Sequence, residues 1–380
     1  MLVLHDPSTL FHKSKEILGS RLIDALECPE RIETIVKAIE EDPIHDLLVV
    51  DNASDNQEEM SKKVRDLLAV CLELSHDRHY IDHLRNIFNR QLENNMIEED
   101  GCVLPECFRP PPGSTGSMGG TAPSDIFART GWYAFDMSSG ISKHSWTSIR
   151  ASAALAVEGA IRMYEGRSTV VSLCRPPGHH CNTKMAGGYC YVNNAVLVVE
   201  AINHIDKSIF NSEGPRKDPK IAILDIDFHH GNGTQDYFYE SSDVLYVSIH
   251  GQDEYPYYSG NSREVGKGTG EGFNFNYPLP THSTATEYIS TLNDALENTK
   301  DFGAEYLVIS LGFDTFHLDP LGSFKLETDD YRRIGYTIRG QLRMPCVILL
   351  EGGYVIKDLG SNLVAFLRGW EAAEEDAPST

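Results

Sequence analysis

No apolar run in this chain approaches the roughly 20 residues that cross a bilayer, so no membrane-spanning helix is expected. The opening Met1-Leu2-Val3-Leu4-His5-Asp6 turns polar too soon for a secretory leader, which also needs a basic first segment. Positive charge is scarce: 33 Lys and Arg stand against 56 Asp and Glu, a net charge of −23. Nucleic-acid binding, which needs clustered Lys and Arg, is therefore not expected, and nor is a membrane partner. A cationic ligand suits this balance better. The eight cysteines, Cys28, Cys71, Cys102, Cys107, Cys174, Cys181, Cys190 and Cys346, include no CxxC pair. That excludes a zinc ribbon and a disulfide framework and suits a reducing compartment. Internal repeats, blocks of like charge and a Lys/Arg-rich nuclear address are also missing. The expectation is a soluble cytoplasmic protein, with nuclear entry left open.

The rest is ordinary globular composition, 41% hydrophobic and 23% charged over 380 residues. Five short β-rich runs stand out: Thr169–Leu173, Ile221–Leu224, Val244–Ile249, Leu307–Leu311 and Val347–Leu350. Their nearly continuous apolar character predicts strands covered on both faces. Helical patterns lie between or around them, at Trp146–Tyr164, Asn193–Asn203, Ala285–Thr299 and Asp329–Gln341. This alternation predicts an α/β domain with a central, mainly parallel sheet and helices on both faces. From Pro105 to Ser124 the composition shifts: Pro110-Pro111-Pro112-Gly113 and Gly119-Gly120 cannot hold a helix or a central strand. We read this stretch as a long loop inserted in one domain, and the acidic Glu371–Thr380 as a frayed end.

In parallel sheets, functional groups gather beyond the carboxyl ends of the strands. Here Thr169–Leu173 is followed by Cys174-Arg175-Pro176-Pro177-Gly178-His179-His180. After Ile221–Leu224 comes Asp225-Ile226-Asp227-Phe228-His229-His230-Gly231-Asn232. After Leu307–Leu311 come Asp314 and Asp319, and after Val347–Leu350 comes Glu351-Gly352-Gly353-Tyr354. Loop polarity or helix capping explains any one cluster, but not four at one edge.

The strongest unit is Asp225-x-Asp227-x-His229, whose side chains share one side of an extended chain. Adjacent carboxylates repel unless a cation neutralises them. Asp227, His229 and Asp314 would make a three-ligand site that leaves a position for water. Oxygen-rich ligation leaves zinc, iron(II), cobalt and manganese open. The simpler alternative is a capped strand end with a buried ion pair. His179-His180 offers a base for a metal-activated water, with Asp225 and Asn232 as orienting partners. Tyr354, behind two glycines, offers a phenol to an oxygen that gains charge. Metal, base and phenol together suit attack of water on an amide.

These motifs, with Gly187-Gly188-Tyr189-Cys190-Tyr191-Val192-Asn193-Asn194, closely resemble the arginase/deacetylase superfamily. Gly131–Asp136, Ser145-Trp146 and the stretch Asp314–Leu326 are similar to its acetylpolyamine amidohydrolases, relatives of the histone deacetylases. The resemblance implies a single-domain deacetylase fold over residues 1–370 with long active-site loops, an insertion at about 95–130, and an acidic tail over 371–380. It implies one Zn²⁺ on Asp227, His229 and Asp314, His180 as general base, His179 with Asp225 as its companion pair, and Tyr354 on the oxyanion. Gly188, Tyr189 and Tyr258 would line a tunnel for an acylated aminoalkyl chain. A structural K⁺ would sit at Asp225, Asp227, His229, Ser248 and the Ile249 carbonyl, and a second at Phe238, Ser241, Val244 and Phe273. The insertion would build a homodimer and narrow the mouth.

Two glutamates that contact distal ammonium groups in bacterial relatives fall at Phe127 and Ser138 here, and a third position, after the last ligand, is His317. Glu106, Asp125 and Asp136 are the carboxylates available in their place. The expected activity is deacetylation of a small acetylated amine, an acetylpolyamine or a related molecule. The alternative is a protein lysine deacetylase, which shares the chemistry but has a wider mouth. A metal-bearing module without turnover is disfavoured by the full set of ligands, base and phenol. A two-manganese ureohydrolase would need further metal-binding Asp and His residues.

Overall fold

The computed structural model describes residues 1–51, 59–108, 122–210 and 218–376. Eight strands form the central sheet: β1 (Leu2–His5), β4 (Asp46–Val49), β5 (Thr169–Ser172), β6 (Ile221–Asp225), β7 (Val244–Gly251), β8 (Asn274–Leu279), β9 (Tyr306–Leu311) and β10 (Cys346–Leu350). Their order is β4-β1-β5-β10-β9-β6-β7-β8, and every pairing is parallel. A separate antiparallel hairpin joins β2 (Lys15–Leu18) to β3 (Arg21–Asp24). The helices are α1 (Glu30–Glu41), α2 (Glu59–Ser75), α3 (Arg78–Glu93), α4 (Ile126–Trp132), α5 (Ser145–Tyr164), α6 (Asn194–Phe210), α7 (Asn232–Phe238), α8 (Ala285–Phe302), α9 (Thr328–Gln341) and α10 (Ile356–Glu375).

Because side chains alternate along a strand, each central strand feeds two cores. Val347 and Leu349 of β10 join one, together with Val308 of β9 and Ile221 and Ile223 of β6. Helices α2, α3, α5 and α6 close that face. Ile348 and Leu350, Leu307 and Ile309, and Ala222 and Leu224 point the other way, under α1, α8, α9 and α10. Burial on both faces is why these strands read as unbroken apolar runs.

All five sequence-read strands and all four helices are present, each within a few residues of its expected ends except α6, which continues to Phe210. Strands β1, β4 and β8 and the β2–β3 hairpin are not among the sequence-read strands. β1 is four residues long, β4 is a partly exposed edge, and β8 alternates apolar residues with Asn274 and Asn276. The supposed frayed end is corrected in part: α10 runs on to Glu375, with Ala373 buried and Glu371 paired with the Met1 ammonium at 2.9 Å. Residues 377–380 and the Pro110–Gly113 and Gly119-Gly120 motifs lie outside the described residues.

Strands β5, β10, β9 and β6 are consecutive in the sheet. Their register aligns Ser172 with Leu349, Leu350 with Leu311, and Ser310 with Asp225. The four polar segments read from the sequence therefore leave the sheet side by side.

Candidate active site

Asp227 and His229 follow β6, and Asp314 follows β9. Their ligating atoms all lie within 4.8 Å of one another, and all three side chains are buried. His229 Nδ1 is 2.9 Å from Asp314 Oδ2 and 3.3 Å from Asp227 Oδ1. Burial pushes Asp314 up to about 7, reinforced by the neighbouring Asp227. Burial also opposes the charge on His229, but hydrogen bonds to both aspartates hold that ring at about 10. Two buried carboxylates and an imidazole that must share protons to coexist form a set that a divalent cation would satisfy directly. A second buried trio, His179, Cys190 and Glu351, is equally close. Its carboxylate, however, already accepts the Gly178 and His179 N–H groups and the Ser310 hydroxyl, so it braces the loop.

The two histidines leave β5 together, with ring centroids 4.0 Å apart. His179 Nδ1 faces Asp225 Oδ2 at 3.1 Å, and its Nε2 is 3.7 Å from Asp227. Burial works against its charge, but the carboxylates of Asp225 and Asp227 prevail and hold it at about 10. His180 is the opposite case. Burial, then the neighbouring His179 and His229, hold it well below the ordinary histidine range, so it is neutral. Its Nδ1 meets Asn232 Oδ1 at 2.8 Å, which assigns the proton to Nδ1 and leaves Nε2 as the basic atom. Gly188, at φ +55°, passes so close that a Cβ there would lie 2.2 Å from His180 Cδ2.

The loop after β10 brings Tyr354 to the same place. Gly352 donates its N–H to Asp227 at 2.7 Å, and a Cβ at this position would collide with Asp314 and Asp227. Arg31 of α1, which sequence reading missed, holds the loop from behind. Its guanidinium donates to the carbonyls of Gly353 at 2.6 Å and Glu351 at 2.5 Å, pairs with Glu27 at 2.8 Å, and lies 5.1 Å from the Tyr354 ring centre. Tyr354 N–H bonds Asp319 at 2.7 Å. Burial raises the phenol well above its usual range, so it stays protonated as a donor.

A passage of about 380 Å³ leads to this centre; a cavity of similar volume, about 390 Å³, is a separate space between α2, α3 and α5 that shares no lining residue with it. The passage itself is lined by His180, His229, Gly188, Tyr189, Tyr354 and Ser138, among others. Tyr189 packs 5.7 Å from Tyr354. Three carboxylates, Glu16, Asp136 and Glu254, line it, with no Lys or Arg among the described residues of the lining. Tyr189 donates its hydroxyl to Glu16 at 2.9 Å.

A histone deacetylase domain model matches residues 25–370. The chain belongs to the histone deacetylase family. It is 33% identical over 373 residues to acetylpolyamine amidohydrolase 2 of Pseudomonas aeruginosa, covering 98% of each chain. It is 34% identical over 370 residues to the acetylpolyamine amidohydrolase of Mycoplana ramosa, covering 97% of this chain and 98% of that one. The crystal structure of acetylpolyamine aminohydrolase from Burkholderia pseudomallei superposes with a TM-score of 0.82 at 30% identity, covering 98% and 99% of the two chains. As a member of this family, the protein is a hydrolase acting on amide bonds.

Three residues assigned to substrate binding lie elsewhere in this deacetylase-family chain. Tyr258 is 95% exposed and borders a neighbouring cavity; the tyrosines of this segment that line the passage are Tyr255, which is half-buried, and Tyr257. Tyr255 stands edge-on to His180 at 4.9 Å and to His229 at 5.9 Å. In Tyr255-Pro256-Tyr257-Tyr258 only the backbone path decides which ring turns inward. Phe127 is on α4, 43% exposed and outside the lining. His317 turns to the Leu326 carbonyl at 3.3 Å. Of the candidate substitute carboxylates, Asp125 caps α4 through the Ala128 N–H, Glu106 is exposed, and Asp136 does reach the passage. Asp225 and Ser248 pair across β6 and β7, beside Ile249. Phe238 ends α7, Ser241 donates its N–H to the Phe238 carbonyl, Val244 starts β7, and the Phe273 carbonyl accepts the Tyr246 N–H.

Proposed function

We propose that this protein removes acetyl groups from acetylated polyamines or closely related small acetylated amines, with one Zn²⁺ held by Asp227, His229 and Asp314. The observation that carries the substrate class is the passage: three carboxylates, two tyrosine walls, and no Lys or Arg among the described residues of its lining. Such a surface attracts an alkyl chain that bears a further ammonium and repels anions. The full-length relatives named acetylpolyamine amidohydrolases support the same reading.

The metal, when bound, supplies Lewis-acid polarisation of the acetyl carbonyl and a lowered pKa for the attacking water. His180 Nε2 accepts the proton from that water as the oxygen–carbon bond forms, while Asn232 fixes the tautomer. Tyr354 donates its hydroxyl hydrogen to the carbonyl oxygen as charge builds there. His179, kept cationic by Asp225, adds positive charge on the same side. His180 then returns its proton to the nitrogen as the carbon–nitrogen bond breaks, releasing acetate and the free amine.

In this reading residues 1–370 form one catalytic unit, and structural K⁺ ions occupy the Asp225–Ser248 region and the Phe238–Phe273 region. A homodimer forms through the 95–130 segment, whose residues 109–121 are outside the described set. Eight unpaired cysteines support a reducing, cytoplasmic setting, and among the described residues no helix is long and apolar enough to cross a membrane.

The test is released acetate from acetylputrescine, acetylspermidine, an acetyl-lysine peptide and an uncharged aromatic acetamide, using zinc-loaded protein. Higher kcat/KM for the acetylpolyamines is expected. Preference for the peptide would make the protein a lysine deacetylase, and preference for the uncharged amide would remove the role given to the carboxylates.

A further inference from the structure

Outside the active site, the most distinctive feature is the cavity of about 390 Å³ between α2, α3 and the start of α5. Four arginines line it: Arg65, Arg78, Arg85 and Arg150. Such convergence is unexpected in a chain with a net charge of −23. The acidic groups beside them are Glu73 and Asp82, and Asp82 is occupied by Arg90 at 3.0 Å and Asn86 at 2.8 Å. His76 also faces the cavity. Its ring nitrogens are taken by the Ser75 hydroxyl at 2.6 Å and the Asn193 N–H at 3.2 Å. The remaining lining is apolar, including Leu68, Leu72, Ile81 and the Trp146 indole, with the Arg85 guanidinium 5.1 Å from its ring centre.

We propose that this cavity binds a small organic anion: a carboxylate or phosphate head on a flat apolar body. Guanidinium groups fit either head through paired N–H donors, and Arg78 and Arg85 present theirs at exposed positions of the lining. The apolar wall excludes a bare inorganic ion as the best occupant, because burying Leu, Ile and Trp surface needs an apolar partner. The volume suits a molecule of one or two rings. None of His180, His229 or Tyr354 lines this cavity, so the site is separate from the one that hydrolyses the amide.

The test is titration of the full-length, metal-loaded protein with 2-naphthoate, 2-naphthyl phosphate and neutral 2-naphthylmethanol, by calorimetry and by tryptophan fluorescence. The two anions should bind at least about tenfold more tightly than the alcohol, as expected for a charge-assisted hydrogen bond. Their ranking decides between carboxylate and phosphate. Arg85→Gln, at an exposed position, and Arg150→Gln should each weaken anion binding by about tenfold. Trp146→Phe should abolish the fluorescence change while calorimetric heat persists. Equal affinity for the alcohol, unchanged affinity in both arginine variants, or competition between the anions and the acetylated amine in the hydrolysis assay would each overturn the proposal.

Discussion

Tyr255 donates its hydroxyl to Asp136 at 2.8 Å, and the same carboxylate oxygen accepts the Gly188 N–H at 2.9 Å. One anion therefore fixes the ring that stands against His180 and the glycine that passes over it. The Ser138 hydroxyl and N–H complete its shell. With so many donors, Asp136 acts as a positioning residue for the passage walls.

Asp136→Asn and Tyr255→Phe should each lower kcat/KM by about 10- to 100-fold, as expected when a wall shifts by a fraction of an ångström. Both variants should lower kcat for charged and uncharged acetamides alike, with Asp136→Asn adding a modest rise in KM for the charged one, and the double variant should lose little more than Asp136→Asn alone. If Asp136 instead holds the substrate's ammonium, only the charged substrate will suffer, and it will do so in KM.

Tyr354→Phe should reduce kcat by about 100- to 1,000-fold, the range for removing one oxyanion donor. Metal content, measured by elemental analysis, should stay at one per chain. Asp314→Asn should lose the metal, and with it thermal stability, because a cation bound only by the folded state contributes to folding. A Tyr354→Phe enzyme of full activity would remove the phenol from the reaction.

Arg31 and Arg175 both reach Glu27 at 2.8 Å, and all three side chains are buried. Arg31→Ala strands Glu27 beside one remaining cation and frees the Tyr354 loop. The expected loss is about 3–5 kcal/mol in urea unfolding, because a buried charge is left incompletely paired. Glu27→Gln with Arg31→Met should recover part of that stability without restoring kcat. Full activity in the pair would show that the loop holds its place unaided.

Acid should destabilise the fold through buried neutral histidines. Burial holds His76 and His83 down at about 3 and His250 at about 4, against an unfolded value of 6.5. The unfolded chain binds these protons first, so each group's contribution is complete above pH 6.5 and shrinks as pH falls toward the folded value. Between pH 7 and 5, each should remove ~2 kcal/mol. His83→Phe should flatten the pH dependence of urea unfolding by about that amount. An unchanged slope would mean that His83 can be protonated within the fold.

Much of the site was legible because its chemistry is local. Asp227 and His229 are two residues apart after one apolar run, and Tyr354 follows another after two glycines. Their neighbourhood in space needed only the rule that parallel strands end at one edge. What was not legible depends on contacts between distant segments. Arg31 sits in an ordinary amphipathic helix, and only tertiary structure reveals that it grips carbonyls 320 and 322 residues away. Glu16 and Glu254 are acidic residues among many, and they matter through the passage that they line. Tyr258 is the position that the resemblance implies, but Tyr255 lies in the same turn-rich segment, where spacing carries no direction.

The strand order also governs how this protein can be made. β10, the last of these eight strands in chain order, lies between β5 and β9. Until Cys346–Leu350 arrives, the strands made first (β1, β4, β5) and those made later (β6 to β9) share no sheet hydrogen bond. Asp227, His229 and Asp314 can meet before then, but His180 and Tyr354 are carried on opposite sides of the missing strand. The protein can therefore gather its proposed metal ligands during synthesis, while the full set for cutting an amide assembles only once β10 and the loop after it have been made.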